Sequence, residues 1–175
     1  MGVSLDNKRL LDFNQSIVEQ AQSVIKALET HDATDQHPVE FGEYVGPHLR
    51  HILEHYEALV AGGDSGSAVD YDARQRDRTL EQDSQQMSAR FKALSSAIAA
   101  WNLQSMQRAV SIHLQGGLCG EFDFVTQSSI GREMLFLASH ATHHYALIQV
   151  YCLKRGISLG ADFGKAPSTV AYERT

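Results

Sequence analysis

Three of the chain's nine histidines fall within five positions of one segment, SHATHHYALI (139–148), and three more lie in GPHLRHILEHYEAL (46–59). Imidazole is a common ligand for divalent transition metals, and it also serves as a hydrogen-bonded core side chain. On a helix His140 and His144 stand one turn apart and about 40° apart in direction, so both rings can reach one point beside the axis. His143 points about 60° to the other side of His140, nearer the surface. The stripe Ile130, Met134, Leu137, Ala141, Ile148 and Cys152 carries His144 and then His140 at its inward edge. In the other window His48, His51 and His55 span an arc of about 60° beside Leu49, Ile52, Leu53, Tyr56 and Leu59.

Two chemistries compete for these rings. Burying several imidazoles without partners costs roughly 1 to 3 kcal/mol each, whereas one divalent ion satisfies a lone pair on each. Core histidines satisfied by hydrogen bonds are the alternative. Two helices with inward histidines favour metal binding over that alternative.

The elements that must position the rings follow from periodicity. Leu10, Leu11, Ile17, Val18, Ala21, Val24, Ile25 and Leu28 predict a first helix over 7–30, and "HDATDQHP" supplies the turn after it. A second helix is expected from Gly46 to Gly62, with Pro47 at its start, followed by a linker in "GGDSGSAVD". Leu80, Met87, Phe91, Leu94 and Ile98 predict a third helix over 71–101. Val110, Ile112 and Leu114 alternate, as do Phe122 and Phe124, so a small hairpin or extended excursion is expected between 104 and 128. Ser128 or Ser129 caps a fourth helix reaching Gly156, and the tail is expected to lie extended over the bundle. Four amphipathic helices in 175 residues predict one all-α domain, a four-helix bundle spanning 1–175.

Composition narrows the function classes. A net charge of −6 with 15 basic residues argues against nucleic-acid binding. The local basic run Arg74, Arg76 and Arg78, interleaved with Asp72 and Asp77, reads as a solvated helix start. The apolar runs are too short for a membrane span and the start lacks a signal peptide's apolar centre, so a cytoplasmic, soluble protein is expected, with Cys119 and Cys152 as reduced thiols. Cys152 reads as a packing thiol beside Met134 and Ile148. No serine sits in a nucleophile elbow, and "GGDSGSA" lacks the lysine of a phosphate-binding loop.

At the histidine windows the chain resembles the DinB/YfiT-like family of metal-dependent enzymes: "HLRHILEHYEAL" is similar to that family's second-helix histidine segment and "REMLFLASHATHHYALI" to its fourth-helix HxxxH segment. "DFGKAPSTVAYER" is similar to the tail of a bacterial subgroup. The resemblance implies an up-down-down-up bundle in which the second and third helices run parallel, with 61–70 crossing between them. It also implies one metal held by His51, His140 and His144, His55 being the second choice on helix two. His55 otherwise supports a ligand or walls the pocket, while His48 and His143 are rim residues.

Three imidazoles leave a coordination position open, as in catalytic sites. A water there becomes a better nucleophile, or a thiolate takes the place. Family members with assigned activities imply a thiol-dependent S-transferase, with a low-molecular-weight thiol as cosubstrate; a hydrolase is the companion expectation. Zinc suits the donors best, with nickel, iron or manganese next. Glu133 lies about 10 Å along the axis from His140, too far to ligate beside it, and pairs with Arg132, Arg50 or a substrate amine. Tyr56, Tyr71, Tyr145 and Tyr151 read as core or rim residues that could line a pocket. The partner expected is a small-molecule substrate, with homodimerisation through faces such as Phe136 and Leu147. A bundle that binds metal without catalysis, for stability, sensing or partner binding, is the alternative.

Overall fold

The computed structural model describes residues 2–32, 40–66, 68–102 and 104–175. Four long helices carry the core: α1 (Gly2–Asp32), α2 (Val45–Ser65), α3 (Ser84–Ala100) and α4 (Ile130–Leu153). Each of α1 and α2 packs on both α3 and α4. Their directions follow from the pairs that meet. Gln15 meets Ser95 and Gln22 meets Ser88, so α1 and α3 are antiparallel. Glu57 meets Arg90 and Asp64 meets Trp101, so α2 and α3 are parallel. His48 meets His144 and His51 meets His140, so α2 and α4 are antiparallel.

The all-α expectation is overturned. Among the described residues there are five α-helices and a three-stranded mixed sheet: β1 (Val69–Asp70) runs parallel to β2 (Ala109–Gly116), which pairs antiparallel with β3 (Phe122–Ser129). Alternation is the cause. Val110 and Ile112 point inward and are buried with the helical core, while the backbone of β2 is free to bond on both edges. The expected linker thus supplies a strand, with Val69 opposite Ile112. Gly62 makes this possible, because a Cβ there would sit 2.6 Å from the Val69 side chain.

Helix boundaries also shift. Asp83 caps α3, its carboxylate accepting from Gln86 N at 2.8 Å, so the helix starts at 84 rather than 71. The segment 71–79 has no apolar stripe to bury and instead runs irregularly over α2. Buried Glu54 accepts Asp77 N at 3.0 Å, and Asp70 accepts Asp72 N and Ala73 N. Ser129 caps α4 by accepting from Arg132 N. The tail is not wholly extended: it forms a short helix, α5 (Pro167–Glu173), with Pro in its first turn. The turn expected at 31–38 lies mostly outside the described residues. No helix among the described residues is long and apolar enough to cross a membrane.

Candidate functional site

Antiparallel packing of α2 and α4 turns two separate histidine windows into one seam. His51 and His140 meet Nε2 to Nε2 at 3.2 Å, and His140 and His144 meet Nε2 to Nε2 at 3.1 Å. The three ligand atoms of His51, His140 and His144 all lie within 4.8 Å of one another, each ring half-buried. His48 closes one end of the row, its Nδ1 2.8 Å from His144 Nδ1. His55 lies at the other end, its ring centroid 4.6 Å from that of His140. The residues expected as ligands are therefore together, and His48 is a direct neighbour of His144 rather than a rim residue. His143 is exposed, its ring edge-on to His144.

Burial sets the charge of the row. It pushes His51 down to about 2, helped by neighbouring His55, His144, Arg74 and His140. Burial also takes His144 to about 3, with His140 and His48 adding repulsion. His55 falls to about 4, chiefly by burial, against the opposing effect of its bond to the His51 carbonyl. His48 and His140 are lowered as well, by burial first and by His143 second. All five rings are thus neutral at neutral pH and each offers one lone pair.

The donor set suits a borderline-soft divalent ion. Zinc–nitrogen bonds of about 2.0–2.1 Å in a tetrahedron put neighbouring nitrogens roughly 3.3 Å apart, close to the two observed Nε2 separations. The wider spread of the trio, up to 4.8 Å, exceeds that edge, so His51 and His144 would have to close inward around His140.

Walls and anchors surround the row. Phe136 lies over His140 with ring centroids 5.8 Å apart, and Tyr71 lies against both Phe136 and His55. At the far end Tyr44 stacks on Tyr151 at 4.6 Å beside His48. Glu133, expected to pair with Arg132, Arg50 or a substrate amine, is buried at 1% exposure and accepts from Arg132 (2.8 Å) and also from Tyr71 (2.9 Å) and Ser128 (2.5 Å). It is an anchor for the segment bearing Tyr71. Tyr56 donates to Asn14 and Tyr145 to the Ile17 carbonyl, both inside the core. Burial pushes the Cys152 thiol up to about 11, which keeps it an inert packing group.

Arg74 is the residue the sequence misplaced. Its side chain is only 9% exposed, with Nη1 3.0 Å from His51 Nδ1, instead of starting a solvated helix. One signal was available: from Arg74 to Thr79 no apolar residue occurs to form a helical stripe.

Comparison with known proteins gives one curated relative, FK506-binding protein 5 of Rhizopus delemar, 29% identical over 118 residues. The aligned stretch is 67% of this chain and 31% of the relative, so the chain spans about a third of the length of the curated relative it matches. No family model matches, and no solved structure matches. The relative's name points to a different family, which overturns the expected DinB/YfiT-like membership. The reason is physical. Two helical histidines four apart, facing a third on a neighbouring helix, need only helical spacing, and so short a pattern carries little ancestry.

Proposed function

We propose that His51, His140 and His144 bind a divalent metal ion, zinc first, with nickel, iron or manganese next, and that the protein is a metal-dependent hydrolase. The observation that supports this is the pair of Nε2 contacts His140 makes, 3.2 Å to His51 and 3.1 Å to His144. A bound ion with three imidazole ligands would supply Lewis acidity and a water of lowered pKa. The chain's own residues hold the rings neutral by burial, orient His144 through His48, and offer Phe136, Tyr71 and Tyr44 as aromatic walls for a small organic substrate. Hydrolysis stands ahead of thiol-dependent transfer, because water activation follows from the donors alone whereas thiol transfer drew on the family resemblance.

A second reading has its own support: the row also satisfies itself as a hydrogen-bonded network of neutral imidazoles with Arg74 at its end, the arrangement of a non-catalytic bundle. Elemental analysis of untagged protein, followed by ester and phosphoester turnover with and without the ion, separates the two. The proposal expects near-stoichiometric metal and turnover that vanishes on chelation and returns on reloading. Metal-free protein that takes up no ion in dialysis supports the network. Thiol transfer in the presence of a low-molecular-weight thiol, without hydrolysis, would reassign the reaction class.

A further inference from the structure

Arg74 reaches the histidine row from the irregular segment between β1 and α3, and its chemistry fixes where a proton sits. A guanidinium has donors only, so at 3.0 Å from Nη1 the Nδ1 of His51 must accept. A neutral imidazole carries one proton, which is then on Nε2, and Nε2 donates to His140 across 3.2 Å. That nitrogen has no lone pair to give a metal. His55, one turn along the same helix, is in the opposite state: its Nδ1 lies 2.7 Å from the His51 carbonyl, which only accepts, so the proton is on Nδ1 and Nε2 is open. Arg74 also approaches His55 Nδ1, at 3.2 Å, but a protonated nitrogen cannot accept there, so His51 is its ring acceptor.

A second resting place for the guanidinium lies close by. Nη1 is 4.0 Å from Glu54 Oε2, whose carboxylate already takes Arg50 Nη1 at 2.8 Å and Asp77 N at 3.0 Å. A swing of roughly 1 Å completes an ion pair of ordinary length. The backbone around it is pinned by Asp70 and Glu54, and Arg74 Nε holds the Tyr71 carbonyl, so the movement belongs to the end of the side chain.

We infer that Arg74 decides whether His51 can ligate a metal: on His51 Nδ1 it keeps the ring proton on Nε2, and transfer to Glu54 frees Nε2 for the ion. This rests on the metal-site reading above. The exchange balances, since the proton on Nε2 leaves to solvent as the ion binds and one from solvent occupies Nδ1. Arg74 is a positioning residue, acting only through His51.

The test uses the metal-free full chain and Co(II) alone as probe, read by its visible ligand-field bands, beside imidazole nitrogen NMR that reports each ring's tautomer. Arg74→Gln replaces a donor with an amide whose oxygen can accept from Nδ1–H. Arg74→Ala removes the donor, and Arg74→Lys restores one. Circular dichroism and thermal melts identify any variant that does not fold. The expected result is a protonated Nε2 on His51 in the wild type, a protonated Nδ1 in Arg74→Gln, and Co(II) affinity rising about 10- to 100-fold in Arg74→Gln. Arg74→Ala falls between, and Arg74→Lys stays near wild type. A wild-type His51 protonated on Nδ1, or equal or weaker Co(II) binding in both Arg74→Gln and Arg74→Ala, overturns this inference alone. Failure of every form to bind Co(II) overturns the metal reading and this inference with it.

Discussion

Along the α1–α3 seam, Gln15 donates to the Ser95 carbonyl at 2.8 Å while the Ser95 hydroxyl donates back to Gln15 Oε1 at 2.6 Å, and seven residues on Gln22 and Ser88 repeat both bonds at the same distances. Each amide there has a fixed donor end and a fixed acceptor end. Along the α2–α4 seam the facing groups are imidazoles, whose two nitrogens exchange roles when one proton moves. Both seams satisfy polar groups between packed helices. Only the second can be satisfied in more than one way, and that freedom lets it take up an ion or a proton.

The largest expected effect breaks the comparison at its centre. His140 Nε2 is the atom both other histidines approach, so His140→Ala should lower metal content more than any other single change, by at least about 100-fold in affinity. His51→Ala and His144→Ala should follow, each leaving a two-histidine remnant. The bundle should stay helical in all three, because the apolar core does not depend on these rings. Metal content after dialysis, with circular dichroism on the same samples, checks this. Equal retention in the three variants would place the metal elsewhere or nowhere.

Acid comes next. In the metal-free fold His51, His144 and His55 are held near 2, 3 and 4, below the ordinary 6.5. The unfolded chain therefore binds more protons in this range, and stability rises with pH. The histidine contribution is fully present above about pH 6.5 and is lost as pH falls from there, the His55 part by about pH 4 and the His144 and His51 parts on down to about pH 3 and 2. Thermal melts should drop by several degrees across that window, and His55→Gln should flatten the slope. Gln22→Leu, in the other seam, should lower the melting temperature without changing the slope. Parallel slopes in His55→Gln and wild type would mean these rings do not control the acid limb.

Ser88→Ala sharpens the contrast from the amide side. It leaves Gln22 Oε1 without its hydroxyl donor, in a setting only partly buried, at a cost of about 1 kcal/mol in urea unfolding. Co(II) affinity should not move, since nothing in that seam touches the histidines.

The two seams were not equally legible in the sequence. Histidines at 48, 51 and 55 and at 140 and 144 stood out because helical spacing put each set beside an apolar stripe, and facing antiparallel helices then brought them together. The Gln–Ser pairs gave no signal, since a glutamine on a helix reads as surface. Arg74 was missed for a different reason: Leu80 stands seven residues before Met87, and that spacing pulled the expected start of the third helix upstream over a segment that folds as an irregular cover. Asp83 and its capping bond mark the true start. Alternation at Val110 and Ile112 announced β2, but the two residues of β1 are too short to have a period and exist because β2 offered a second edge. The family assignment failed because its two histidine segments were motifs of helical spacing and the tail segment beside them was short.

The smallest expected effect concerns His143, the neighbour of His144 in sequence. Its side chain is exposed and borders a surface hollow with Phe13, Leu135, Ser139 and Pro167, on the side of α4 turned from His51. Its electrostatic link to the row is repulsion, which helps to lower His48, His140 and His144. His143→Ala should therefore leave Co(II) affinity and urea stability near wild type, within about 0.5 kcal/mol for a surface substitution. Removing that repulsion lets His48, His140 and His144 hold protons slightly more easily in the folded state, so their folded and unfolded affinities lie closer together. The acid loss of stability should then become slightly shallower, a shift read by melts across the same pH series. Loss of metal in His143→Ala as severe as in His144→Ala would show that α4 presents its other adjacent histidine to the ion, and the facing of the whole seam would have to be redrawn.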